Sequence, residues 1–261
     1  MLLLIVSACS SGEPAATLGT STDSSRAGVW SPPPGTTWQW QLTGEIDTSY
    51  DVEMYDVDLF DTPIETIVLL QKKERIVICY LSAGSFEDWR ADSGRFPPDV
   101  IGESLDAWPG ERWLDIHEIE AIAPVLESRL DLAVAKGCDG VEPDNVDGHL
   151  SSTGFDISGG DQLAFNRWLA DEAHARGLSI GLKNDLSQVG DLVDWFDWIL
   201  VEGCVEFDEC SGVEPFLAAG KAAFGAEYSL SPVVACPVAR EAGISMIFKD
   251  LDLGAATTIC P

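Results

Sequence analysis

The 261-residue chain carries 44 acidic side chains against 15 basic ones, a formal charge of −29, and is 46% hydrophobic with nine tryptophans. The length and apolar content suffice for one large domain with a substantial core. The charge excludes nucleic acid and anionic lipid heads as electrostatic partners and favours cationic ligands.

The N-terminus reads MLLLIVSACSSG, a short apolar run ending in small residues before Cys9. This is the pattern of a bacterial lipoprotein signal over residues 1–9, with Cys9 as the lipidated residue. It predicts an exported cell-surface or periplasmic protein that meets the membrane through that anchor only. Residues 10–35 are rich in Ser, Thr, Gly and Pro and end in SPPPG. They hold too little apolar surface to fold and read as a flexible tether, leaving 36–261 as the folded domain.

Within that domain, short strand-like runs alternate with longer amphipathic segments. The strand candidates are TWQWQL (37–42), MYDVDLF (54–60), RIVICYLSA (75–83), DGVEPD (139–144), LSIGLKN (178–184), DWILVEG (197–203), AAFGAEY (222–228) and ISMIFK (244–249). Ile122, Leu126, Leu130, Ala133 and Val134 recur at helical spacing before Gly137, predicting a helix over 120–136. A second helix is expected over 161–176, with Asp161 as its cap and Gly177 as its stop. The order helix, glycine, strand recurs in AKGCDGVEP, ARGLSIGLK, AAGKAAFGA and REAGISMIF. Such alternation argues for an α/β domain with a parallel sheet and outer helices, and eight strands in this length argue for a single (β/α)8 TIM-type barrel. The barrel is expected to be irregular between the first two strands, where GEIDTSYDVE has no room for a helix. WLDI (113–116) is read as an extra short strand within a loop. A doubly wound open sheet is the alternative, but no GxGxxG-type turn follows any strand.

Apart from Cys9 there are six cysteines, an even number that suggests disulfides in an exported chain. Cys204 and Cys210 are near enough in sequence to close a small loop, and a Cys236–Cys260 bridge would pin the C-terminus. For Cys79 and Cys138, either a bridge or simple burial fits. With no CxxC pair and three histidines, neither a metal site nor a cofactor is expected.

In a barrel of this type, chemistry gathers at the C-terminal ends of the strands. There the chain places Asp61, Tyr80, Glu142, Asp144, Asn145, Asp147, Lys183, Asn184, Glu202 and Glu206. GCDGVEPDNVDGH alone holds four carboxylates. An ion pair with Lys183 is a purely structural alternative for Glu142, and Asp147 before Gly148 is equally suited to shaping a turn. The run lacks the spacing of a Ca²⁺ loop, and no GxSxG nucleophile elbow exists. Asp144 on the fourth strand and Glu202 on the sixth would face each other across the mouth. Two such carboxylates flanking one linkage are what glycoside hydrolysis requires. Trp38 and Trp40 share one strand face and are candidate sugar platforms.

The segments WQWQLTG, DLFDTP, CYLSAGSFEDWR, WLDI, GVEPDNVDG, IGLKND and VEGCVEFDEC, in this order, resemble glycoside hydrolase family 114. The resemblance runs from about residue 36 to the C-terminus. It implies an exported (β/α)8 endo-α-1,4-polygalactosaminidase that acts on galactosamine-containing polysaccharide with retention, expected to be a monomer. It places the catalytic carboxylates on Asp144, as nucleophile, and Glu202, as general acid/base. Asp61, Tyr80, Asn145, Asp147, Lys183, Asn184 and Glu206 are implied to line the subsites. The pattern is broken at Gly203, where the resemblance implies a bulkier polar residue. Other α-linked polysaccharides, or sugar binding without catalysis, are the alternative functions.

Overall fold

A computed structural model describes residues 28–106 and 108–260. The signal segment with Cys9, and the tether up to residue 27, lie outside the described residues. Residues 28–35, the end of the expected tether, lie against the domain: Pro32 O accepts from Ala222 N and Ser31 Oγ donates to Asp197 O.

The eight parallel strands of the main sheet follow the predicted runs, and a ninth, short strand near the C-terminus is not among them. First come β1 (Trp38–Gln41), β2 (Met54–Asp58) and β3 (Ile76–Ser82), with helix α1 (Ile64–Lys72) between the last two. A small antiparallel sheet follows, from β4 (Ser85–Glu87), β5 (Ile101–Ser104) and β6 (Glu111–Leu114). Then come α2 (Ile119–Lys136), β7 (Gly140–Asp144), α3 (Gly159–Ala175), β8 (Ser179–Lys183), α4 (Val189–Leu192), β9 (Trp198–Glu202), α5 (Glu214–Ala218), β10 (Ala223–Glu227), α6 (Pro232–Ala242), β11 (Ser245–Phe248) and β12 (Thr258–Ile259). The sheet order β1-β2-β3-β7-β8-β9-β10-β11-β12 is parallel throughout, except that β12 returns antiparallel to β11. Inward side chains of β1, β2, β3, β9, β10 and β11 meet in one cluster, among them Trp38, Met54, Ile78, Trp198, Phe224 and Ile247, so the sheet is curled around its own core. Among the described residues no ladder joins β1 to β11. That seam is bridged by Trp38 Nε1 donating to Ser245 O at 2.8 Å and Leu42 N donating to Leu253 O at 2.9 Å.

No helix separates β1 from β2, as the short connection requires. α2 turns Ile122, Leu126, Leu130 and Ala133 onto the sheet but leaves Val134, expected on the same face, exposed to solvent. It ends at Gly137, whose φ of 85° is the left-handed cap glycine adopts readily. α3 is capped by Ser158 rather than by Asp161: Ser158 accepts from Asp161 N while the Asp161 side chain accepts from Ser158 N. The two form a reciprocal capping box, so Asp161 serves three residues inside the start. WLDI is only half a strand, since β6 ends at Leu114. Gly181 leaves the space that the Trp198 indole occupies, where a Cβ would lie 2.3 Å from the ring.

Three disulfides join Cys79–Cys138, Cys204–Cys210 and Cys236–Cys260. The first ties β3 to Cys138, two residues before β7.

Candidate active site

A cavity of about 680 Å³ opens at the C-terminal ends of the strands. Its floor is built by alternation. β7 sends Glu142 and Asp144 inward, β8 sends Lys183 and β9 sends Glu202. Lys183 is 2% exposed, and its Nζ lies 2.8 Å from Glu142 Oε1, 3.2 Å from Asp144 Oδ1 and 3.3 Å from Glu202 Oε2. The ammonium also sits 4.6 Å from the centre of the Trp40 ring. Burial opposes its charge, but the three carboxylates outweigh burial and hold its pKa well above the usual lysine value.

Each of the two carboxylates facing the cavity has further donors. Tyr80 Oη donates to Asp144 Oδ2 at 3.0 Å. Tyr228 Oη donates to Glu202 Oε1. Asn184 Nδ2 donates to Glu202 Oε2 at 3.2 Å, and Asn184 Oδ1 accepts from Glu202 N. Burial, reinforced by the adjacent carboxylate, drives both tyrosine pKa values up, so both phenols remain donors. Asn145 and Asn184 follow their strands with φ of 61° and 50°, a left-handed conformation that asparagine tolerates better than most residues. Each side chain folds back into the site. Asn145 Nδ2 reaches Ser82 Oγ at 2.9 Å and Glu111 Oε1 at 3.0 Å. Gly84 admits this arrangement, since a Cβ there would meet Asn145 O at 1.7 Å.

One layer below, Asp56 is fully buried and meets Glu142. Neither Asp56 oxygen, nor Glu142 Oε2, has another partner, so a proton shared between the two carboxyls joins Glu142 Oε2 to one Asp56 oxygen. Burial, then the Glu142 charge, pushes Asp56 well above the carboxylate range. Glu142 is raised by burial to about 7 despite Lys183. Burial and the Asp144 charge raise Asp147 to about 6.

Asp61, Tyr80, Asp144, Asn145, Asp147, Lys183, Asn184, Glu202 and Trp40 all line this cavity. Glu206 does not: it is exposed on the loop beyond β9 that the Cys204–Cys210 bridge closes. Trp38 does not either, because it lies two residues deeper than Trp40 in the packed core. Trp40 is only 1% exposed and forms floor beneath Lys183 rather than an open platform. Gly203 has a φ of 63°, and a Cβ there would lie 2.9 Å from the Phe207 ring, so this backbone disfavours any side chain. The cavity also holds Arg90, Glu111, Trp89 and Trp108, none of them among the predicted site residues, and Tyr228, which the predicted strand 222–228 puts at its end without a role. Tyr228 stands one residue past β10; the others lie on or between the short strands of the antiparallel sheet.

Eight carboxylates line the cavity (Asp58, Asp61, Glu87, Glu111, Asp144, Asp147, Glu202 and Asp252) against the cations Arg90 and Lys183. Arg90 is already committed to Asp58 at 2.7 Å and Glu87 at 2.8 Å. The mouth therefore carries a strong negative excess.

The model of glycoside-hydrolase family GH114 matches residues 19–261. The crystal structure of Ega3 from Aspergillus fumigatus in complex with galactosamine is 40% identical, with a TM-score of 0.84 over 88% of this chain and 97% of that one. The glycoside hydrolase domain of PelA from Pseudomonas aeruginosa shares the fold at 14% identity, with a TM-score of 0.67 over 87% and 98% of the two chains. A GH18 chitinase from Pseudoalteromonas aurantia shares it more loosely, at 12% identity and a TM-score of 0.52 over 82% and 94%. None of the curated proteins matches the chain. With a family model spanning the whole described domain and a 40% identical structure superposing on nearly all of it, the chain belongs to glycoside-hydrolase family GH114 and is a glycoside hydrolase.

Proposed function

We propose that this glycoside hydrolase cleaves α-1,4 linkages within galactosamine-containing polysaccharide, as an endo-acting enzyme with retention. The observation that carries the mechanism is the shared lysine. Asp144 Oδ1 and Glu202 Oε2 both contact Lys183 Nζ, so they lie no further apart than the sum of two contact distances of 3.2 and 3.3 Å. That limit only touches the lower end of the about 6.5–9.5 Å separation typical of inversion and readily admits the about 5–5.5 Å of retention.

Asp144 is the nucleophile. Its carboxylate attacks the anomeric carbon while the bond to the leaving oxygen breaks, and protonated Glu202 gives its proton to that oxygen. Water then enters. Glu202 takes a proton from it, the water oxygen bonds to the anomeric carbon, and Asp144 leaves as carboxylate. Tyr80 orients Asp144, and Tyr228 with Asn184 orients Glu202. The substrate class is supported by the negative excess of the mouth, which suits ammonium-bearing galactosamine units, and by the galactosamine bound in the Ega3 structure. Export and anchoring through Cys9 extend the same proposal. The three disulfides favour an oxidising compartment.

Mass analysis of products from purified galactosamine-containing exopolysaccharide tests this reading. A ladder of short oligomers, lost in both Asp144→Asn and Glu202→Gln, is expected. Early products detected by NMR should carry the α-anomer. Monomer alone, a first-formed β-anomer, or near wild-type rates in either variant would each overturn the corresponding part.

A further inference from the structure

Six of the nine tryptophans are core or half-buried, and Trp113 is 9% exposed. The two that remain open are Trp89, 52% exposed, and Trp108, 50% exposed, and both line the catalytic cavity. An indole left half in water forgoes a large share of its hydrophobic stabilisation. To find both such residues on the rim of one cleft, and none elsewhere, points to a ligand that covers them.

The rim is also held in place. Trp89 lies two residues past the end of β4, and its neighbour Arg90 is fixed by Asp58 and Glu87. Trp108 lies in the turn between β5 and β6, where its N–H donates to Leu105 O and its carbonyl accepts from Glu111 N at 3.1 Å. Asp88 N donates to Gly110 O at 3.1 Å, tying the two loops together. The indoles therefore stand on a braced sheet edge, beside the mouth that contains Asp144 and Glu202. The segment joining β11 to β12 adds Leu251, Asp252 and Leu253 to the same cavity wall.

Resting on the glycosidase reading above, we infer that Trp89 and Trp108 form a platform for sugar units of the polymer that flank the unit being cleaved. A pyranose presents an apolar face of C–H groups that stacks on an indole, and an ammonium substituent adds a cation–π attraction of about 0.5–1 kcal/mol at an exposed site. The occupant is the same polysaccharide chain, because the platform is continuous with the catalytic cavity and that cavity is far too acidic to suit an anionic polymer. The pair anchors substrate at a distance from the reacting bond, so it acts on chain binding and not on the chemical step.

The test compares wild type with Trp89→Ala, Trp108→Ala, the double variant and the two Phe variants, on galactosamine polymer and on a trimer. Binding of polymer is measured by calorimetry in the Asp144→Asn background. Each Ala substitution should raise KM on polymer roughly three- to tenfold, the double variant more, with kcat at saturation held within about twofold. The penalty on trimer should be smaller, Phe should restore most of the loss, and polymer affinity should weaken in parallel. If wild type cuts polymer and the double variant does so with unchanged KM and affinity, the platform is wrong while the substrate reading stands. If polymer and trimer suffer equally, or kcat falls with KM unchanged, the platform is likewise wrong. Wild type that neither binds nor cuts the polymer overturns the substrate reading and the platform with it.

Discussion

Lys183→Met is the substitution that most directly tests the floor of the site. Methionine is similar in length and keeps the apolar stem over Trp40, while the charge disappears. At an effective dielectric of about 20, a unit charge about 3 Å from its partner is worth about 5 kcal/mol, and Lys183 has three such partners, at 2.8, 3.2 and 3.3 Å. Most of that gross attraction offsets the cost of burying the ammonium and of crowding three carboxylates together. What is lost on removing one member of a buried pair is about 3–5 kcal/mol, because the partners stay behind unpaired. Glu142 is the most exposed to this loss, being fully buried and already raised by burial to about 7 with Lys183 present.

The sign with pH follows. A carboxyl whose folded pKa exceeds its unfolded value makes the folded state hold extra protons, so stability falls as pH rises between the two values. Without Lys183 the Glu142 value rises further. The deficit of the variant should therefore be largest above about pH 8 and shrink towards about pH 5. Urea unfolding at several pH values measures it, alone and in a double-mutant cycle with Glu142→Gln, where a coupling of about 2 kcal/mol is expected. Activity should fall by about a hundredfold or more, since the carboxylates lose the group that sets their spacing. A variant within about 1 kcal/mol of wild type at every pH, with no coupling to Glu142, would refute the idea that this ammonium organises the floor.

Two further outcomes follow from the same structure. Burial, aided by the Asp144 charge, raises Glu111 from 4.5 to about 7, against the hydrogen bonds from Ser85 and Asn145. Its contribution to stability is thus greatest below 4.5 and lost as pH climbs to about 7, so Glu111→Gln should gain on the order of 3 kcal/mol relative to wild type across that window; a flat difference in urea titrations contradicts it. Among the disulfides, Cys79–Cys138 spans 59 residues and Cys204–Cys210 spans 6. Chain entropy then assigns them about 4 and about 2 kcal/mol, so the Cys79→Ala/Cys138→Ala pair should lower the denaturation midpoint more, and the reverse order contradicts it.

Much of the fold was legible because the main parallel strands are apolar runs behind glycine stops, and each run contains its observed strand with no end trimmed by more than two residues. The antiparallel sheet was not. Its strands SFE, IGES and ERWL are three or four residues long and half polar, too short for alternation to register. That gap explains why Trp89, Trp108 and Glu111 escaped notice while Asp144 and Lys183 did not. Trp38 and Trp40 show a different failure. Period two correctly puts both on one face, but it carries no information on depth, and only Trp40 is high enough to reach the cavity. Glu206 falls outside the cavity for a related reason: four residues past Glu202, the chain has already turned outward around the Cys204–Cys210 loop.

Depth is also what separates core from chemistry in this molecule. Along β1 the inward positions run Trp38, Trp40; along β7, Gly140, Glu142, Asp144; along β8, Ser179, Gly181, Lys183; along β9, Trp198, Leu200, Glu202; and up from β10, Phe224, Ala226, Tyr228. The register pairs Trp40 with Asp56 and Tyr80 with Glu142, so the lower level is filled by large rings and glycine gaps, and charge enters only near the mouth. β7, β9 and β10 thus each contribute their last inward residue, or the next one on, to one polar layer around Lys183. A one-residue slip of β7 would turn Val141 and Pro143 inward and send both Glu142 and Asp144 to the helix side. The packing of Trp198 over Gly181 on the neighbouring β8–β9 pair, and the bond tying Cys79 to the residue two before β7, both oppose such slips. The same contacts that hold the apolar floor in register therefore hold the paired carboxylates opposite each other.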